Sequence, residues 1–424
     1  MSEGQLKVQA LVDAFAQAGS AALEPSKDSA SLVELANQAP VVRLVDVVLL
    51  EAVNRRASDI HIEAFERGVL IRYRIDGRCY QVAQPPKSLA LAIASRVKVL
   101  ANLDVAETRL PQDGRLLLTV DRREIDLRVS TLPTMHGESI VLRVLDKGAL
   151  DKTLSQLGMD ANLQQTIERL IQRPHGLLLV TGPTGAGKTT TLYACLAKLN
   201  RPEVKLITVE DPVEYDLAGL VQIAVHTKIN LSFATSLRAI LRHDPDVIMV
   251  GEIRDRETAQ IAVQAALTGH LVFSTLHTND APGAVTRLLD MGLEPFLVTS
   301  TVTGVLAQRL VRALCPRCRA PYEAGTEELA AFRLTADDLE QPLMKPAGCE
   351  ACLGIGYRGR IGLFELLAMT EALRPLVLGR ASASEIRAKA QEEGMRSLRE
   401  DGIAKVLAGV TTVEEMIRET QDYE

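Results

Sequence analysis

Apolar residues recur at helical spacing over residues 42–54 and again over 89–103, and each run predicts one helix with a buried face. Around them the period falls to two. Ile60-His61-Ile62 and Val69-Leu70-Ile71-Arg72-Tyr73 read as strands, with Asp76-Gly77 as the turn signal after them. Ile125, Leu127 and Val129 then alternate with Glu124, Asp126, Arg128 and Ser130, and residues 140–145 repeat the design, so Arg128 and Arg143 project from the charged side of their strands. These elements predict a compact α+β module over residues 41–148. From about residue 149 the pattern changes: short runs with no polar alternation, at 177–181, 206–209, 247–250 and 271–275, are separated by helical stretches such as 258–267, which Gly269 closes. Such runs predict a parallel sheet covered on both faces. Residues 1–40 read as a short leading segment, with Leu6, Ala10, Val12 and Phe15 at rough helical spacing and Pro25-Ser26-Lys27-Asp28-Ser29 as a linker.

Length and charge narrow this picture. A chain of 424 residues exceeds one ordinary core, so two or three domains are expected. No run approaches the ~20 apolar residues that cross a bilayer, and the start of the chain, with Lys7 alone, lacks a secretory pattern. The expected location is the cytoplasm. A net charge of -6, no Trp and 3% aromatic residues argue against a nucleic-acid partner, although Arg309, Arg312, Arg317 and Arg319 make a local basic run.

The chemistry is concentrated in four places. Gly182-Pro183-Thr184-Gly185-Ala186-Gly187-Lys188-Thr189 fits the G-x-x-x-x-G-K-[ST] phosphate loop without a mismatch, between a strand and a helix that starts at Thr190. It predicts ATP binding, with backbone amides on the phosphates, Lys188 at the β- and γ-phosphates and the Thr189 hydroxyl on Mg²⁺. Val209-Glu210-Asp211-Pro212-Val213-Glu214 and Val250-Gly251-Glu252 each put carboxylates at a strand end, where open α/β sheets bind ligands. Either Glu210 or Glu252 is a candidate to activate water. His270 and His277 bracket the strand at 271–275, and either is a candidate γ-phosphate sensor, against a purely structural role. Finally, Cys315-x-x-Cys318 and Cys349-x-x-Cys352 read as a tetrahedral thiolate Zn²⁺ site, with a redox pair as the rival reading. The residues between the pairs exceed ribbon spacing, so the insert must carry structure of its own. Cys79 and Cys195 stand apart.

Together, the phosphate loop, the acidic box 207–215, the Gly251-Glu252 segment, the histidine box 269–279 and the tetracysteine insert resemble the secretion-superfamily hexameric ATPases, most closely the type II secretion assembly ATPases, over residues 41–424. The resemblance implies a RecA-like parallel-sheet ATPase domain at 149–424 with a zinc insert at about 314–356, and a smaller PAS-like α+β domain at 41–148. It implies a homohexamer, peripheral to the bacterial inner membrane, working with a cytoplasmic adaptor and a polytopic platform protein to drive pseudopilus assembly and export. Pilus extension ATPases, which share the insert, are the rival. By the same resemblance Arg128 and Arg143 match arginines that approach the nucleotide; the plainer alternative pairs them with Glu124, Asp126 or Glu138 on a solvated strand face. The leading segment is shorter than the adaptor-docking domain usual in that branch.

Overall fold

The computed structural model describes residues 29–120, 122–146, 152–330, 335 and 339–421. The expected helix near Leu6 to Phe15 lies outside them. The chain divides into two compact units, the first running to Ala149 with residues 347–358 grouped with it, the second made of the remainder. Among the described residues no helix is long and apolar enough to cross a membrane.

The first unit carries a sheet of six strands: β1 (Asp59–Phe65), β2 (Gly68–Ile75), β3 (Arg78–Ala83), β4 (Gln112–Val120), β5 (Arg123–Thr134) and β6 (Gly137–Asp146). Their order is β3-β2-β1-β6-β5-β4, with every neighbouring pair antiparallel. The period-two residues do what the alternation predicts. Ile60, Ile62, Ile71, Tyr73, Ile125, Leu127, Val129, Ile140 and Leu142 form one core with the helices Ala39–Asn54 and Ala90–Leu100. The Tyr73 hydroxyl donates to the Val48 carbonyl at 2.7 Å, which satisfies the one polar atom of a fully buried ring. Folded structure also begins earlier than residue 41. A helix spans Ser29–Ala36, and its Leu35 packs with Val41 and Ala92, so Ser29 opens a helix where the composition reads as linker.

The second unit is built on seven strands: β7 (Gly176–Thr181), β8 (Leu206–Glu210), β9 (Leu220–Ala224), β10 (Val247–Val250), β11 (Leu271–Leu276), β12 (Val302–Leu314) and, past a two-stranded ribbon of β13 (Ala320–Tyr322) and β14 (Leu343–Lys345), β15 (Tyr357–Ala368). The order is β15-β12-β7-β11-β10-β8-β9, and the pairs from β12 to β9 are parallel. Successive residues of one strand feed opposite cores: Leu177 and Leu179 enter one, Leu178 and Val180 the other. Both faces are therefore covered, which is why these strands lack polar alternation. The ribbon and the helix Thr326–Ala330 supply the structure required between the cysteine pairs.

Candidate functional site

β7 delivers the chain into the phosphate loop, and the helix Lys188–Leu199 carries it away. Gly182 and Gly187 have φ of +148° and +85°, in the region only glycine enters freely. A β-carbon on Gly182 would lie 2.4 Å from the Gln308 carbonyl oxygen of β12, so the loop is pressed against that strand. The first-turn amides of a helix have no carbonyl of their own helix to bond, and here they open onto the loop as an anion cradle. Lys188 Nζ donates to the Gly182 carbonyl at 2.7 Å and the Pro183 carbonyl at 3.1 Å. Burial pulls its pKa down to about 8, with Arg309 pushing the same way and Glu252 opposing. Thr189 is exposed at the helix start, as a hydroxyl that binds a metal must be. The donor set fits a nucleoside triphosphate with Mg²⁺.

Because β8, β10, β11 and β7 are parallel and in register, their C-terminal ends lie together at the loop. That edge gathers Glu210, Glu252 and His277, and the two glutamates meet different company. Glu210 is 3% exposed and accepts from the Tyr193 hydroxyl, from Thr208 Oγ1 at 2.6 Å and from Gln222 Nε2 at 3.1 Å. Burial, and then the bond to Glu210, raise the pKa of Tyr193. Tyr193 lies four residues past Thr189 on the same helix, so this buried network fixes that helix. Glu252 is 17% exposed; its Oε1 lies 2.9 Å from His277 Nε2 and its Oε2 accepts from Arg254 Nε at 2.8 Å. Arg254 Nη1 also stands 4.0 Å from Asp211.

His270 lies at the other end of β11. Its carbonyl accepts from the Gly176 amide at the start of β7, and its Nδ1 sits 2.9 Å from the Ala265 carbonyl and 3.2 Å from Thr268 Oγ1. Six strand residues separate it from the loop edge, about 20 Å at strand rise. Of the two candidate γ-phosphate sensors, His277 thus stands at the edge beside the loop and His270 at the opposite end of β11, because only the C-terminal ends of parallel strands converge at the loop. Gln264, Arg238 and Arg242 line a surface cavity with His270 instead. The basic run is also dispersed: Arg309 and Arg312 are buried, Arg312 against Glu415, while Arg317 and Arg319 are exposed.

In the first unit Arg128 and Arg143 sit side by side across β5 and β6 on the open face of the sheet. Arg143 Nε reaches Asp59 at 3.2 Å. Of the carboxylates expected as alternatives, Asp126 pairs with Arg115 and Glu138 with Lys98.

The four cysteine sulfurs Cys315, Cys318, Cys349 and Cys352 lie within 4.8 Å of one another, none in a disulfide. Cys349 Sγ and Cys352 Sγ are 3.7 Å apart, the separation that two ~2.3 Å zinc–sulfur bonds at the tetrahedral angle require. The amides of Cys349 and Gly356 donate to Cys352 Sγ, as they would to a thiolate.

Residues 34–418 match the family model for type II/IV secretion system proteins. The type II secretion system protein E of Pseudomonas aeruginosa is 52% identical over 396 residues, which are 93% of this chain and 78% of that protein. The type II secretion system ATPase E of Vibrio cholerae is 52% identical, covering 92% and 77%. The type IV pilus assembly ATPase PilB of Myxococcus xanthus is 48% identical, covering 94% and 71%. Among solved structures, the pilus retraction motor PilT with bound ADP aligns at a TM-score of 0.61 and 26% identity, over 90% of this chain and 97% of that one.

Proposed function

Because the chain belongs to the type II/IV secretion system protein family and is an ATPase of the secretion type, we propose that ATP is hydrolysed on the loop 182–189 and that the turnover drives pseudopilus assembly and protein export. The observation that carries the site is the parallel register of β7, β8, β10 and β11, which brings the phosphate loop with Lys188 and the strand-end carboxylate Glu252 to one edge of the sheet. Glu252 orients the attacking water and takes its proton, with His277 and Arg254 each holding one of its oxygens. Glu210 positions the helix instead, since its oxygens already accept three hydrogen bonds. Mg²⁺, held by Thr189, would neutralise charge on the phosphates. Lys188 stabilises the transferring phosphoryl group, and Arg128 and Arg143 serve as arginine fingers.

The chain would work as a cytoplasmic hexamer at the inner-membrane platform, with the adaptor and the polytopic platform protein as partners; the identity to the type II relatives supports this. Pilus extension is the second reading, favoured by the 48% identity to PilB. Complementation separates them. In a strain lacking this chain, the parent and not Lys188→Ala should restore export of secreted enzymes. Restored surface pili without export would move the assignment to the pilus branch.

The cysteine cluster fits Zn²⁺ by donor type and spacing, and we assign it one structural ion. Elemental analysis of chelator-free protein should return one zinc per chain, and its removal should unfold the insert, given that structural sites contribute roughly 10–16 kcal/mol in peptides. Metal-free protein with an intact insert would refute this.

A further inference from the structure

Arg309 lies in the middle of β12, the strand that flanks β7, and is 5% exposed. Its neighbour Gln308 braces the phosphate loop: Gln308 Oε1 accepts from Thr191 Oγ1 at 2.7 Å, and a β-carbon on Gly187 would come within 2.9 Å of Gln308 Nε2. Arg309 faces the first residue of the same loop, since a β-carbon on Gly182 would stand 3.3 Å from its Nη1. Its Nη2 donates to the Asn279 carbonyl at 3.1 Å and approaches Asn279 Oδ1 at 3.4 Å. Asn279 comes two residues after His277, the side chain that holds Glu252. The residue between them, Thr278, is tied to the end of β7: its amide donates to Thr181 Oγ1 at 2.9 Å and the two hydroxyls are 2.7 Å apart. One guanidinium thus stands between the phosphate loop and the segment that carries the partner of the water-activating glutamate.

We propose that Arg309 is a positioning residue for ATP hydrolysis: by clamping Asn279 beside Gly182 it sets where His277, and through it Glu252, stands relative to the phosphates. The inference rests on the reading of Lys188 and Glu252 given above. The planar fork is what the clamp uses, because it bonds Asn279 while lying along the loop. A lysine keeps the charge but, as a point donor on a flexible stem, cannot do both.

The test is steady-state ATP hydrolysis by the full chain. Arg309→Lys should lower kcat about 10-fold, the scale of a small misplacement of reacting groups, and leave KM for ATP within about 2-fold. In a Glu252→Gln background the same change should add nothing, because its effect passes through that carboxylate. A merely structural role would instead lower the melting temperature and multiply with Glu252→Gln. Asn279→Gly, at an exposed position, loosens the other half of the clamp without touching the core and should lower kcat in the same way. A kcat for Arg309→Lys within about 2-fold of the parent, or losses that multiply with Glu252→Gln, would overturn the proposal. Should Arg309→Lys not fold, an unchanged kcat in Asn279→Gly overturns it. Lys188→Ala run alongside separates the two levels: normal turnover there removes the site itself, whereas a dead Lys188→Ala beside a normal Arg309→Lys removes only the clamp.

Discussion

The two sheets place their charged residues in opposite ways. In the antiparallel sheet one face packs on helices and the other is open, and a row of charges crosses that open face from β4 to β2: Arg115, Arg128, Arg143, Asp59 and Arg74 are successive cross-strand partners. In the parallel sheet both faces are buried, and along β7, β8, β10 and β11 the ionisable groups stand at the strand ends, where Glu210, Glu252 and His277 collect beside the phosphate loop; the arginines inside the sheet, Arg309 and Arg312 of β12, are each held by a partner, Asn279 and Glu415. Burying an unpaired charge on either face would cost several kcal/mol per ion. Chemistry on a sheet covered on both sides is therefore an edge property, and on a half-open sheet it is a face property.

Substitutions test that contrast. Lys188→Ala should have the largest effect, lowering ATP turnover by about 10³-fold or more, since phosphoryl transfer depends mainly on charge stabilisation. Near-normal turnover in folded, Mg²⁺-replete protein would remove the edge site altogether.

The two edge glutamates come next. Glu252→Gln should slow hydrolysis by about 10²–10⁴-fold while ATP still binds, the range of a lost general base. Glu210→Gln keeps a hydrogen-bonding amide at a position that already accepts three bonds, and its loss should stay below about 10-fold and be matched by Tyr193→Phe. Single-turnover hydrolysis ranks them, and the reverse order would make Glu210 the base.

On the open face, Arg128→Ala and Arg143→Ala should each slow turnover at least about 10-fold with ATP affinity nearly unchanged, and lysine should rescue poorly. Surface pairing alone, as between Arg143 and Asp59, would be worth only about 0–1 kcal/mol and change rates less than about 2-fold. His270→Ala should have the smallest effect, under about 2-fold in kcat, because the group stands a strand length from the phosphates. A loss as large as that for His277→Ala would mean the far edge of the sheet takes part in turnover.

The fold class could be read from the chain because each sheet writes its own period: alternation for one covered face, unbroken apolar runs for two. The strands of the ATPase core were legible for that reason. The earlier start at Ser29 was not, because Ser29–Ala36 is short and its apolar residues acquire meaning only against Val41 and Ala92. The run Val302-Thr303-Gly304-Val305-Leu306-Ala307 has the buried-strand pattern too, interrupted by a threonine and a glycine, and it forms the first half of β12. Arg309 and Arg312, which the local basic run joins to the exposed Arg317 and Arg319, therefore stand inside the fold.

By itself the sequence determined whatever depends on a few adjacent residues: a glycine-rich turn whose backbone must enter positive φ before a helix, two cysteine pairs spaced for one metal, and the faces of regular strands. Only the tertiary structure could decide between chemically equal candidates. Glu210 and Glu252 both end a buried strand, and His270 and His277 both border another. What distinguishes them is which donors, from Tyr193 to Gln222, already occupy a carboxylate, and which end of a parallel strand faces the loop. Those partners are remote along the chain, and no local pattern records a hydrogen bond made across a fold.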